Sequence, residues 1–218
     1  MKLRIITILM LCILLNGCAA NQQPVETIPV ETEAAAAVIQ PLADTTMEAL
    51  EDSIVHISFS QDDVYQDESG TILLRMQIYT YDKFDMMDIS GLKTGDTILL
   101  SDGALLVNSV ERNDHGTVLI NGGLEEGGLD LATDDSGTYV AQGYSDMKSW
   151  YLVGEAECPV SEGFVFTDSA DLDLGAASYT GEDLLAGIPV PELGYRPNNT
   201  IVRIENGEVA AMERIYTP

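Results

Sequence analysis

The stretch DTILLSDGALLVNSVE, residues 96–111, sets two apolar runs on either side of Asp102-Gly103. A polar residue followed by glycine between two apolar runs is the strongest local signal for a β-hairpin, because the glycine supplies the positive φ that a tight turn demands. A helix would instead repeat its apolar residues every three to four positions over a longer window. The same pattern recurs outward in both directions. SIVHISFS (53–60) alternates Ile54, His56 and Ser58 against Val55, Ile57 and Phe59, and TILLRMQIYTY (71–81) is long, β-branched and aromatic. RNDHGTVLI (112–120) adds a turn and a strand, and GTYVAQGY (137–144), WYLVGEAE (150–157) and GFVFTD (163–168) each read as short strands. NTIVRIENGEVAAMERIYTP (199–218) closes the chain with a second hairpin at Asn206-Gly207. Only GEDLLAGI (181–188) reads as helical. Closely spaced turn signals between short strands predict an all-β fold, a small barrel or a sandwich of hairpins.

Two segments echo each other. GDTILLSDGALLVNSVE (95–111) and NNTIVRIENGEVAAMERI (198–215) share a polar-Thr-Ile opening, a central turn and a returning strand. The reading favoured is two hairpins obeying the same rules; a duplicated module is the alternative. GLKTGDTILLSDGALLVNSV (91–110) also resembles the opening hairpin of small SH3-like and OB-like barrels, which implies a barrel and no particular ligand.

The first residues, MKLRIITILMLCILLNGCAA, follow different rules. Lys2 and Arg4 form a basic flank, and Ile5–Leu15 is an apolar run of eleven residues. That length suits a signal-peptide core and falls short of a bilayer span. Leu15-Asn16-Gly17-Cys18 follows, and it resembles the bacterial lipobox. The resemblance implies a signal peptide over residues 1–17, cleavage before Cys18, acylation of the Cys18 sulfur, and a lipid anchor on the outer face of the cell membrane. Asn16 departs from the small residue usual at its position. Two or three acyl chains hold a protein on a membrane where one does not. Residues 18–50 are acidic and Pro-spaced, with the near-repeat PVETIPVET (24–32), and read as a linker. As a random coil it would hold the body roughly 30 Å from the lipid. Thr45 and Glu48 match a capping box, so a short helical turn is expected at the linker's end. Residues 51–218 are then one β-rich globular domain or two small β modules. This acidic, β-rich body resembles uncharacterised bacterial lipoproteins of the same style, a resemblance that implies no activity.

Charge excludes whole classes of function. The chain carries −26 at neutral pH, and loss of residues 1–17 removes two bases and no acid, leaving −28 on 201 residues. Nucleic-acid binding works by neutralising phosphates with Lys and Arg, so no nucleic-acid partner is expected. Cys158 is left alone once Cys12 departs and Cys18 is acylated, with no disulfide or zinc partner, and reads as a structural thiol on a strand. His56 and His115 are the only histidines. His115 lies in the turn composition RNDHG, and His56 in an alternating strand. No G-x-S-x-G, H-E-x-x-H or three-histidine zinc arrangement is present.

Two kinds of candidate site remain. NGGLEEGGLDL (121–131) lacks the lysine or helix N-terminus of a phosphate loop, and its glycines read as positive-φ turns around an acidic loop. Calcium needs six to eight oxygens and binds at millimolar level outside cells. Glu125, Glu126, Asp130, Asp134 and Asp135 are the candidate ligands, with Asp168, Asp171 and Asp173 as a second set; neither fits an EF-hand loop. No other cofactor is expected. Trp150 and Tyr151 are candidate stacking platforms, or else the start of a strand with one ring inside and one outside. Together these features point to a membrane-anchored module of the cell envelope that binds a protein or glycan ligand without catalysis, or serves envelope assembly. The alternative is a carboxylate-based extracellular carbohydrate hydrolase, which needs two acids across a cleft.

Overall fold

The computed structural model describes residues 35–42, 45–144, 147–173, 175–189 and 194–217. The signal segment, Cys18 and most of the linker lie outside the described residues. In chain order the strands are β1 (Val38–Ile39), β2 (Ser53–Ser58), β3 (Val64–Gln66), β4 (Ile72–Tyr81), β5 (Lys83–Phe84), β6 (Thr97–Leu100), β7 (Gly103–Leu106) and β8 (Val110–Arg112). They continue with β9 (Val118–Ile120), β10 (Leu129–Thr133), β11 (Tyr139–Ala141), β12 (Trp150–Ser169), β13 (Ala177–Tyr179), β14 (Thr200–Glu205) and β15 (Glu208–Ile215). Among the described residues two one-turn helices interrupt them, α1 (Met86–Ser90) and α2 (Gly181–Leu185). The fold is all-β, as the period-two pattern predicts.

Five strands close on themselves. β2 pairs with β4, β4 with the first half of β12, the second half of β12 with β15, β15 with β14, and β14 with β2. All these pairings are antiparallel except β12 with β15. Numbered in chain order, the strands run 1-2-3-5-4 and back to 1, with α2 between the third and fourth. This is the Greek-key order of an OB-type barrel, and closure removes the exposed sheet edges that an open sheet would present.

β12 makes closure possible. The pattern reads it as two short strands, WYLVGEAE (150–157) and GFVFTD (163–168). It is one strand of twenty residues. Pro159 pairs with Leu73 as the last rung against β4, and Val160 pairs with Val209 as the first rung against β15. A proline cannot donate to a ladder, so it sits where the strand changes partners.

The barrel's inward positions are every second residue: Val55 and Ile57, Leu74, Met76 and Ile78, Phe166, Val202 and Ile204, and Met212, with Leu184 of α2 packed into the same cluster. Burying each such side chain contributes about 1.5–3 kcal/mol. One end of the interior is polar. Asp168 and Arg214 are register partners across the parallel β12–β15 pair and form a two-pronged buried ion pair, with Arg214 Nε donating to Asp168 Oδ1 at 3.0 Å. The guanidinium lies 4.5 Å from the centre of the Tyr195 ring. Cys158 is buried on β12, and burial pushes its thiol pKa up, as expected of a structural cysteine.

Residues 82–149 are inserted between the second and third barrel strands. They form a five-stranded antiparallel sheet, ordered β5-β11-β10-β9-β8, and most of a three-stranded one, ordered β1-β6-β7. A second apolar core joins them through Phe84, Ile89, Ile98, Val107, Ile120 and Leu131. The hairpin Asp96–Glu111 therefore belongs to the insertion, not to the barrel it resembles. Its turn is Ser101-Asp102, because Leu100 pairs with Gly103. The second hairpin turns at Asn206-Gly207 with φ of 52° and 78°, as read. The two echoed segments occupy different sheets. Val38–Ile39, inside the stretch read as linker, pairs in parallel with Thr97–Ile98, and Ile39 is buried. A 3₁₀ turn opens the barrel at Met47–Asp52, with Thr46 at the cap position and no side-chain capping bond, so the turn forms without the expected box.

Candidate functional site

The outward residues of β4 and the first half of β12 form four rungs on one face of the barrel. The pairs are Arg75 with Glu157, Gln77 with Glu155, Tyr79 with Leu152, and Tyr81 with Trp150. Strand spacing makes this ladder roughly 20 Å long. It runs from charged at one end to aromatic at the other.

The charged end holds a cleft of about 370 Å³, where β2 ends and its loop crosses the ladder. Ser58, Asp63, Arg75, Gln77 and Glu155 supply its polar lining. Phe59 and Tyr195 supply its aromatic lining, stacked with centroids 4.0 Å apart. Each polar group is held in place. Arg75 donates to Glu157 at 3.1 Å, and Tyr65 donates to the same oxygen at 2.5 Å. Those two bonds hold the Glu157 carboxyl below the usual carboxylate range. Gln77 donates to Glu155 at 3.3 Å and accepts from Tyr79 at 2.9 Å and from Ser58 at 3.2 Å. Asp63 Oδ2 accepts from the Ser60 hydroxyl and backbone N–H, at 2.6 and 2.8 Å, and these bonds lower its pKa. Asp63 Oδ1 and Glu155 Oε2 accept no hydrogen bond among the described residues. Tyr195 is only 5% exposed, and its hydroxyl is buried without a partner among them.

The aromatic end is packed. Trp150 lies 4.4 Å from the His56 ring and 4.8 Å from Tyr81, and its indole N–H is buried without a partner among the described residues. Lys148 sits 4.0 Å from the centre of the Tyr81 ring and donates to its hydroxyl at 2.8 Å. His56 Nδ1 bonds the Pro197 carbonyl at 2.9 Å. Burial first, then the Lys148 charge, lowers the His56 pKa from 6.5 to about 4, against that hydrogen bond. Tyr151, one residue on, projects to the opposite side of the strand. Burial and the neighbouring Asp82 push its phenol up. The two rings proposed as a joint stacking platform therefore face different surroundings.

The candidate calcium ligands are not gathered. Among the described residues no group of three or more His, Cys, Asp and Glu is placed to hold a metal ion. Asp130 Oδ1 accepts the Leu124 N–H at 2.9 Å, and Asp134 Oδ1 accepts from Ser136 and Thr138. Glu125 and Glu126 lie in a 3₁₀ turn, and Asp135 is exposed. In the second set, Asp168 is taken by Arg214, and Asp171 accepts the Asp173 N–H at 2.9 Å. Three of the four glycines of NGGLEEGGLDL adopt the turn geometry read for them, with positive φ at Gly122, Gly123 and Gly127; Gly128 does not. His115 is in a turn whose N–H groups bond Asn113, as its composition indicates.

The cleft was not singled out in the sequence. Its one signal is the alternation of TILLRMQIYTY, which puts Arg75, Gln77, Tyr79 and Tyr81 on one side. Ser58, Asp63 and Glu155 join them only through pairing. Comparison of the chain with protein-family models, with curated proteins and with solved structures gives no match.

Proposed function

We propose that the chain is a lipid-anchored extracytoplasmic binding module of the bacterial cell envelope that holds a glycan on the outward face of its barrel. The observation that carries this reading is the cleft of about 370 Å³, where an amide, two carboxylates, a guanidinium and hydroxyls converge beside stacked rings. Sugars offer hydroxyls to planar polar side chains and apolar faces to rings. Barrels of this type bind oligosaccharides on the face of their second and third strands, here β4 and β12. The anchor rests on Leu15-Asn16-Gly17-Cys18.

Two experiments test it. Cys18→Ala is expected to move the protein from the membrane to the soluble fraction, and a variant that stays on the membrane ends the anchor assignment. The full lipidated chain, held in detergent, is expected to be retained on immobilised cell-wall polysaccharide and to lose most of that retention on Gln77→Ala. Equal retention of both proteins rules the cleft out.

A carbohydrate hydrolase is the second reading, favoured by Asp63 and Glu155 on one cleft. Such an enzyme needs one carboxyl with a raised pKa to protonate the leaving group. The Ser60 bonds do the reverse for Asp63. Release of reducing ends from the same polysaccharide would favour the enzyme.

A further inference from the structure

We infer that the outward face of the β1-β6-β7 sheet rests on the surface of the bilayer that holds the Cys18 acyl chains. The inference rests on the lipid-anchor reading and goes beyond it by assigning the body a membrane-facing side.

Register builds the face. Val38 pairs with Thr97 and Thr97 with Leu106, while Leu99 pairs with Ala104. The alternate residues, Ile39, Ile98, Leu100 and Leu105, belong to the second core. The five outward residues are therefore three aliphatic chains, an alanine and a threonine, and none is charged. Val38 is 59% exposed and Leu106 54%. Asp96, beside Thr97, is buried, and its carboxylate accepts the N–H groups of Ala37 and Lys93. Outward positions of the other sheets carry charge. Glu111 and Asp130 flank Leu119 across the five-stranded sheet, and Arg75, Glu155, Glu157, Arg203 and Glu213 stand on the barrel. On a chain with 36 acids, an uncharged face with exposed aliphatic chains stands apart.

The place where the chain enters decides what covers this face. Val38 follows directly on the tether, and residues 19–34 separate Cys18 from the described segment that begins at Ala35. A random coil of that length would span about 20–25 Å. The face is thus held within that reach of the bilayer. Anionic headgroups repel a body of charge −28 over about a Debye length, roughly 8 Å at physiological salt. Of the orientations the tether allows, the one that turns an uncharged face to the headgroups is repelled least. It also takes exposed aliphatic carbon out of water. A second copy seated on the face would instead set −28 against −28.

The experiment places the lipidated chain in vesicles of phosphatidylcholine and phosphatidylglycerol, with a fraction of the lipids carrying a nitroxide quencher on the headgroup. A fluorophore is attached at Ala104→Cys, on the face, or at Glu111→Cys, on the outward side of the other sheet. Both positions are exposed, and Cys158 is buried and stays unlabelled. Quenching is expected to be about threefold stronger at position 104. Adding Thr97→Glu and Leu106→Glu is expected to remove the difference. Equal quenching at the two positions, stronger quenching at 111, or a difference that survives the two glutamates would each overturn the inference. A disulfide between two unlabelled Ala104→Cys copies on the vesicle would put a second copy on the face and overturn it too. Flotation reads the anchor separately. A chain that does not float with the vesicles ends the anchor reading and this inference together, whereas a floating chain with even quenching ends the inference alone.

Discussion

His56 occupies an outward position on β2, yet it is enclosed by Trp150, Tyr81 and the Pro197 carbonyl. Alternation places it on the polar side of the strand, and nothing in SIVHISFS reveals that side to be covered. The cover comes from distant residues: Pro197 is 141 positions away, and Trp150 packs onto the ring only once β12 pairs with β4. The enclosure has a consequence for stability. A folded-state pKa of about 4, against 6.5 for the free side chain, means that the unfolded chain takes up a proton that the fold refuses. The penalty is absent above pH 6.5, grows by about 1.4 kcal/mol for each pH unit below it, and stops growing near pH 4, at about 3 kcal/mol. His56→Gln keeps a donor for Pro197 and removes the titration. Denaturant unfolding at several pH values is expected to show a wild-type stability falling between pH 6.5 and 5 that the variant does not share. Parallel curves for the two proteins across that range would show that another group titrates.

At the scale of elements, what was legible is what is local. The hairpin at Asn206-Gly207, the strand in TILLRMQIYTY and the helical turn in GEDLLAGI are each written in adjacent residues. The interruption of the barrel by residues 82–149 is not, because no local signal says that Tyr81 will pair with Trp150. The cleft was hidden for the same reason: its polar groups come from three separate stretches. NGGLEEGGLDL shows both sides of this. Positive φ at Gly122, Gly123 and Gly127 follows from turn chemistry, whereas Gly128 matters through a contact. It has no positive φ, but a Cβ there would overlap the backbone carbonyls of Ile120 and Asn121 as the chain turns from β9 into β10. Those are backbone atoms that cannot swing aside, so Gly128→Ala must shift one strand against the other. A loss of about 2–4 kcal/mol is expected by chemical denaturation. Gly127→Ala meets no atom within 4 Å and should cost less, through its φ of 81° alone. If the two substitutions cost the same, the close approach at Gly128 is not what the position enforces.

The whole molecule is dominated by its charge. With 36 acids against 10 bases, the folded chain repels itself more than the expanded chain does. Self-repulsion between exposed groups falls off within a Debye length, which is about 30 Å at 0.01 M salt and about 8 Å at physiological ionic strength. The melting temperature of the protein is therefore expected to rise as sodium chloride is added from the lower to the higher of these, in line with screening. Calcium separates screening from coordination. Asp130 and Asp134 each have an oxygen engaged by the backbone of their own loop, and Asp168 is held by Arg214, so the acids that looked like ligands in the sequence are oriented by the fold for other partners. At matched ionic strength, millimolar calcium is expected to move the midpoint no further than magnesium does. A calcium shift clearly larger than magnesium's, and lost on Asp130→Asn, would mean that the acidic loop rearranges around the ion; the same shift surviving that substitution would place the ion elsewhere on this acidic surface.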